Sequence, residues 1–163
     1  MVKPLRALRM LRTFVRLDTE MKLQLAEALL LPGLIRLGFR TLGVARTQGL
    51  LRSWTSHRQR AVQTEERVLA VIAGTRRAQR IVQRVAGVGG TCLVRSFALW
   101  AMLRRRGIQS DVRVGMRKTD GRIEGHAWLE YKGRPVNETR AVIATYSALP
   151  VPATYDLWLR RLA

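Results

Sequence analysis

The sequence holds a single cysteine, Cys92, so no intramolecular disulfide can form and a disulfide-stapled secreted domain is excluded. A free thiol of this kind suits a reducing cytoplasm, where we expect the protein to work. Acidic residues are scarce: 11 Asp and Glu stand against 30 Lys and Arg, a formal charge of +19. Such an excess favours an anionic partner, whether nucleic acid, anionic lipid or an acidic peptide, without choosing among them. Aromatic residues make up only 6% of the chain, so Leu, Val, Ile and Ala must do most of the packing. Long apolar runs are also missing. Arginines interrupt the leucines of residues 5–16, and Leu29-Leu30-Leu31 meets Pro32-Gly33. A signal peptide needs about 7–15 uninterrupted apolar residues and a membrane span about 18. Neither is found, and membrane association is not expected.

What is present is an ordinary globular balance, 47% hydrophobic and 25% charged, in a chain long enough for one core with a helical addition. Leu5, Leu8, Leu11 and Val15 recur at helical steps, with Pro4 suited to a first turn. Asp18 or Thr19 is placed to cap a second helix running to Leu31, which Pro32-Gly33 should end. Residues 34–56 are less legible, because Gly38, Gly43 and Gly49 interrupt a leucine-rich pattern. Thr64, followed by Glu65 and Glu66, opens a helix that continues to about Ala86. Gly87-Val88-Gly89-Gly90 is a loop, and an amphipathic helix is predicted from Thr91 to Arg106, stopped by Gly107.

The period then changes from helix to strand. Val112, Val114 and Met116 alternate with Arg113, Gly115 and Arg117, as in a half-buried strand. Thr119-Asp120-Gly121 is a turn, Ile123 to Tyr131 a second strand, Lys132-Gly133 a tight turn and Pro135 to Thr139 a short third strand. A last helix is predicted over Tyr155 to Leu162. Helices followed by consecutive hairpins give an α+β fold with an antiparallel sheet. We divide the chain into a basic helical extension, residues 1–60, and a second unit, residues 61–163.

Two residues in this pattern carry candidate chemistry. Cys92 opens a helix behind three glycines. Free amides and the dipole at a helix start favour a thiolate, and the same amides can hold an oxyanion. The alternative is a small buried apolar side chain. His126 lies on the second strand in Gly125-His126-Ala127-Trp128, with Gly125 leaving room for a neighbouring chain and Trp128 on the same face. A thiol enzyme needs such an imidazole, first as base and then as acid. The alternative is a core histidine. His57, among arginines, reads as a surface residue. A third group should orient the imidazole, and register decides which. A two-residue turn at Lys132-Gly133 puts Asn137 on the face of His126, whereas one extra loop residue puts Glu138 there. Arg95, Ser96 and Trp128 read as packing residues, and Arg6, Arg9, Arg12 and Arg16 as a solvated face.

The blocks Thr91-Cys92-Leu93-Val94-Arg95-Ser96, Gly125-His126-Ala127-Trp128-Leu129-Glu130 and Gly133-Arg134-Pro135-Val136-Asn137-Glu138 resemble the lasso-peptide leader peptidases. These are cysteine proteases of the transglutaminase-like superfamily, and the resemblance spans roughly residues 64–160. It implies a papain-like core in which the cysteine helix packs on an antiparallel sheet. It also implies Cys92 as nucleophile, His126 as base and an acid at Glu138, with no cofactor and no metal. Its implied partners are a precursor peptide, a separate leader-recognition protein and an ATP-dependent macrolactam synthetase; this chain itself has no phosphate loop of the P-loop type. Two other readings use the same residues or charges. One is an acyl-transferring enzyme of the same superfamily. The other is a non-enzymatic basic module for nucleic acid, although no nucleic-acid motif and no aromatic stacking platform accompany the charge.

Overall fold

The computed structural model describes residues 17–56 and 64–149, and the predicted helices before Leu17 and after Tyr155 lie outside this range, as does His57. Four longer helices come first: α1 Thr19–Thr41, α2 Val44–Ser56, α3 Glu65–Ala86 and α4 Cys92–Arg104. The strands β1 Asp111–Thr119, β2 Arg122–Tyr131 and β3 Arg134–Pro135 follow, then the single-turn helix α5 Arg140–Ile143 and the strand β4 Ser147–Ala148. The sheet is antiparallel in the order β3-β2-β1-β4. The α+β class, with N-terminal helices before a cysteine helix on an antiparallel sheet, is therefore observed.

Local chemistry explains most boundaries. Asp18 caps α1 by accepting from the Met21 amide at 2.7 Å. Thr64 caps α3, and Gly87 ends it in the left-handed region at φ 64°, where only glycine is unstrained. Gly107 (φ 77°) closes α4, with Ile108 N–H donating back to Leu103 O at 3.1 Å. Asp120-Gly121 and Lys132-Gly133 both adopt positive φ at both residues, as tight hairpin turns require.

Pro32 does not end a helix. It sits buried inside α1, which continues for nine further residues to Thr41. A proline inside a helix costs about 3 kcal/mol through the missing N–H and a clash with the preceding turn. Burial of Ala28, Leu31 and Ile35 on the same face offsets that cost. The apolar step 28, 31, 35 runs through the proline without a break, so packing overrides local propensity. Gly38 has its own reason for being small: a Cβ there would lie 2.8 Å from the Thr47 side chain, where α1 meets α2.

The core centres on α4. Phe97, Ala98, Leu99, Ala101, Met102 and Leu103 are each 0% exposed, and Leu93, Val94 and Trp100 are also buried. The predicted amphipathic character is thus corrected: α4 is covered on all sides, by α1, α2 and α3 together with β1 and β2. Phe97 makes edge-to-face contacts with Phe39 of α1 at 5.3 Å and with Trp100 at 6.0 Å. The sheet contributes Val112, Val114, Ala127 and Leu129 from its inner face.

The C-terminal end of α4 is held to α1 by charge. Glu27, buried in α1, pairs with both Arg105 and Arg106, the latter at 2.7 Å. Arg106 also pairs with the exposed Glu20 and donates to Met102 O. Arg105 lies 4.5 Å from the Trp54 ring centre, adding α2 to the cluster. Removing the shared carboxylate leaves two arginines facing each other in a poorly hydrated site. We expect Glu27→Ala to lower the free energy of unfolding by about 3–5 kcal/mol. Urea unfolding followed by circular dichroism measures this, and a loss below 1 kcal/mol would contradict the assignment.

Candidate active site

The loop between α3 and α4 aims the cysteine. Gly90 takes φ 63°, and a Cβ there would press on Val94 at 3.1 Å, so the chain can enter α4 this tightly only through glycine. Thr91 caps the helix and accepts from Val94 N–H at 3.4 Å, while Arg95 N–H donates to Thr91 O. Cys92 is the first helical residue and is partly exposed. By helix geometry its own amide and that of Leu93 have no acceptor within the helix and remain at its mouth. Gln79 of α3 donates to Arg95 O at 2.9 Å and fixes this turn from behind.

His126 lies in β2 directly opposite Gly115 of β1. The close approach beside the histidine is made at Gly115, where a Cβ would come within 2.9 Å of the Trp128 ring and 3.0 Å of Tyr146 Cβ. The imidazole ring is flanked by Trp128 at 6.3 Å and Tyr146 at 5.2 Å. Trp128 is buried but stands apart from the α4 core, and its indole N–H donates to Glu130 at 2.8 Å. Arg117 lies over the Tyr146 ring and pairs with Glu124 at 2.7 Å, a hydrogen bond that raises the Arg117 pKa.

The structure separates Asn137 from Glu138. The turn at Lys132-Gly133 has two residues, and Tyr131 pairs with Arg134. The ladder, however, ends at Pro135, not at Thr139 as the alternation implied. Val136 N–H still donates to Leu129 O at 2.7 Å, but Asn137 turns inward and its Oδ1 accepts from Leu129 N–H at 2.7 Å. Its Nδ2 donates to Ser96 of α4 at 3.1 Å. Glu138 follows out of the ladder and brings Oε1 to 3.1 Å from His126 Nε2. The carboxylate lies off the N–H axis, so this is a close approach without a directed hydrogen bond to Nε2. In enzymes without bound substrate such contacts are often poorly aligned and tighten in the substrate complex.

His126 and Glu138 are thus brought together directly. Cys92 is tied to them through its helix: Ser96, one turn on, donates to the carbonyl of Ala127, the residue after His126, at 3.1 Å. Tyr146 and Arg76 are site neighbours that sequence reasoning missed. Tyr146 follows a short helix with no periodic signal. Arg76 sits on α3 within electrostatic reach of Glu138; burial and the neighbouring Arg80 lower its pKa, and Glu138 partly restores it. Among the described residues no group of three His, Cys, Asp or Glu side chains could hold a metal ion, and no helix is long and apolar enough to cross a membrane.

A partly exposed cysteine at a helix start and a strand histidine approached by a carboxylate are groups that acyl chemistry uses. Residues 34–151 match the transglutaminase-like superfamily. The chain belongs to that superfamily. Its enzymes are usually cysteine proteases or acyltransferases, and the match takes in Cys92, His126 and Glu138. No curated protein and no solved structure matches the chain.

The packing beside the histidine yields a prediction. Gly115→Ala should force Trp128 or Tyr146 to shift and cost about 1–3 kcal/mol of stability. Thermal unfolding together with near-ultraviolet circular dichroism of the tryptophans checks this; an unchanged melting temperature and spectrum would refute it.

Proposed function

We propose that the protein is a cysteine peptidase that removes the leader from a lasso-peptide precursor. The observation carrying this reading is the 3.1 Å approach of Glu138 to His126 Nε2, on the strand that α4 grips one turn beyond Cys92. Superfamily membership supports the acyl chemistry. The three sequence blocks around Cys92, His126 and Glu138 support the narrower substrate.

In this mechanism Glu138 orients the ring through Nε2 and leaves Nδ1 for the thiol. The thiolate of Cys92 attacks the carbonyl at the leader–core junction, and the Cys92 and Leu93 amides receive the oxyanion. His126, now protonated, gives its proton to the departing amine of the core. Water activated by the same imidazole then releases the leader from the sulfur. The product is a core peptide with a free N-terminal amine, the group that a separate ATP-dependent macrolactam synthetase would join to a carboxylate. A separate recognition protein would deliver the leader, with the basic N-terminal region serving as its docking surface.

The first test incubates the full chain with the precursor peptide from its own gene neighbourhood, with and without the neighbouring recognition protein, and follows the masses. We expect one cleavage, at the leader–core bond, lost in Cys92→Ala and slowed about 10²–10⁴-fold in Glu138→Ala. Equal cleavage by Cys92→Ala would sink the reading. Transfer of the acyl group to an added amine in preference to water would assign the chain to the acyl-transferring branch.

A further inference from the structure

Three hydrogen bonds form a circuit behind the site, and two of them meet at one hydroxyl. Ser96 is 0% exposed. Its single proton goes to Ala127 O at 3.1 Å, and its oxygen accepts from Asn137 Nδ2 at 3.1 Å. Asn137 completes the circuit by accepting from Leu129 N–H at 2.7 Å. The hydroxyl thereby uses its donor and an acceptor site, and the amide uses both ends. Each member is one short step from a residue of the site: Ser96 one helical turn from Cys92, Ala127 next to His126, Asn137 next to Glu138. None of the three reaches the reacting atoms.

Apolar packing resists separation of α4 from β2 but resists sliding only weakly, because dispersion and burial are not directional. Hydrogen bonds are directional, and in a dry interior they are costly to break. Asn137 also decides where the ladder stops: its side chain takes the Leu129 amide that a continuing strand would have used. The chain then turns and delivers Glu138 to His126.

We propose that Ser96 and Asn137 are positioning residues that lock the cysteine helix, the histidine strand and the Glu138 segment into one register. This rests on Cys92 and His126 working as a pair. The circuit acts through those residues and touches no substrate. The charged groups around the imidazole are Glu138 at Nε2, Arg76 of α3 near that carboxylate, and the Arg117–Glu124 pair beyond Tyr146. All remain in the Ser96 and Asn137 variants that follow, so differences among those report position.

Cys92 is the chain's only cysteine, so its alkylation by iodoacetamide is a single-site reporter that needs no substrate. The rate is measured from about pH 5 to pH 9, across the range where an unassisted thiol, ionising near pH 8.5, loses its thiolate. The proteins compared are the wild type, His126→Ala, Glu138→Ala, Ser96→Ala, Ser96→Thr and Asn137→Ala, each with its melting temperature. The wild type should keep reactivity at the acid end, and His126→Ala should lose it. Ser96→Ala and Asn137→Ala should follow His126→Ala, their acid-end rates falling at least about tenfold relative to their alkaline rates, as an unassisted thiol requires. Ser96→Thr keeps the hydroxyl and should keep the acid limb, even where its added methyl lowers the melting temperature. Folded Ser96→Ala and Asn137→Ala proteins with the wild-type profile would overturn the proposal, as would failure of both to fold, since the circuit would then be structural only. Where one of the two folds, its profile decides. Identical profiles for the wild type and His126→Ala would instead remove the Cys92–His126 pair itself, and the positioning role with it.

Discussion

A helix without a polar side must be covered all the way round, and α4 is such a helix from Phe97 to Leu103. Its residues set what every neighbour has to supply. The α1 face of Ala28, Leu31 and Ile35, the α3 face of Val68, Ile72 and Val82, and the inner strand residues Val112, Val114 and Leu129 all belong to one cluster around it. Only its ends are polar, and they differ in kind. At the C-terminal end Arg104, Arg105 and Arg106 complement the negative pole of the dipole, and Arg105 and Arg106 meet carboxylates from α1. The N-terminal end carries no compensating acid in its first turn. Its positive pole and free amides are left at the end that carries Cys92.

The shortage of acids sharpens the meaning of each one. With 30 basic residues, an acid placed at random would sit in a field of cations and do nothing specific. Instead Glu27 and Glu20 hold the end of α4, and Glu65 ties the start of α3 to Tyr131 and Lys132. The Lys132 hydrogen bond, ahead of the other causes, keeps the Glu65 carboxyl below its ordinary range. Glu124 engages Arg117, and Glu130 joins Arg113 to the Trp128 indole. Glu138 differs in facing an imidazole. Arg76 of α3 lies within electrostatic reach of that carboxylate; burial and Arg80 lower its pKa, and Glu138 partly restores it.

Much of this was legible from local rules. Thr64, Gly87, Thr91 and Gly107 mark helix ends through capping and left-handed geometry, which depend on a few adjacent atoms. The β1–β2 alternation and both hairpin turns were likewise readable. The misreadings share a cause: each concerned a residue whose local preference is overruled by a partner distant in sequence. Pro32 stays inside α1 because the face it belongs to is buried. Gly38 breaks nothing because Thr47 needs its space. The amphipathic reading of α4 fails because Trp100 and Met102 are buried along with the rest of the helix, by elements far off in sequence. The strand β4 is two residues long and pairs across β1, below the length at which alternation carries information.

The third member of the site shows the same limit in its sharpest form. The two-residue turn was readable, and extending its alternation gave the His126 face to Asn137. That extension assumes that the strand goes on, since the period of two holds only while backbone groups pair. The side chain of Asn137 ends the pairing by substituting for the backbone at Leu129 N–H. From that atom onward the alternation has no force, and the next residue is free to reach the histidine. An asparagine at this point can do both things because its amide offers an acceptor to the strand and a donor to Ser96. The choice between Asn137 and Glu138 was therefore never one of register alone: the residue that the alternation favoured is the one whose side chain brings the alternation to an end.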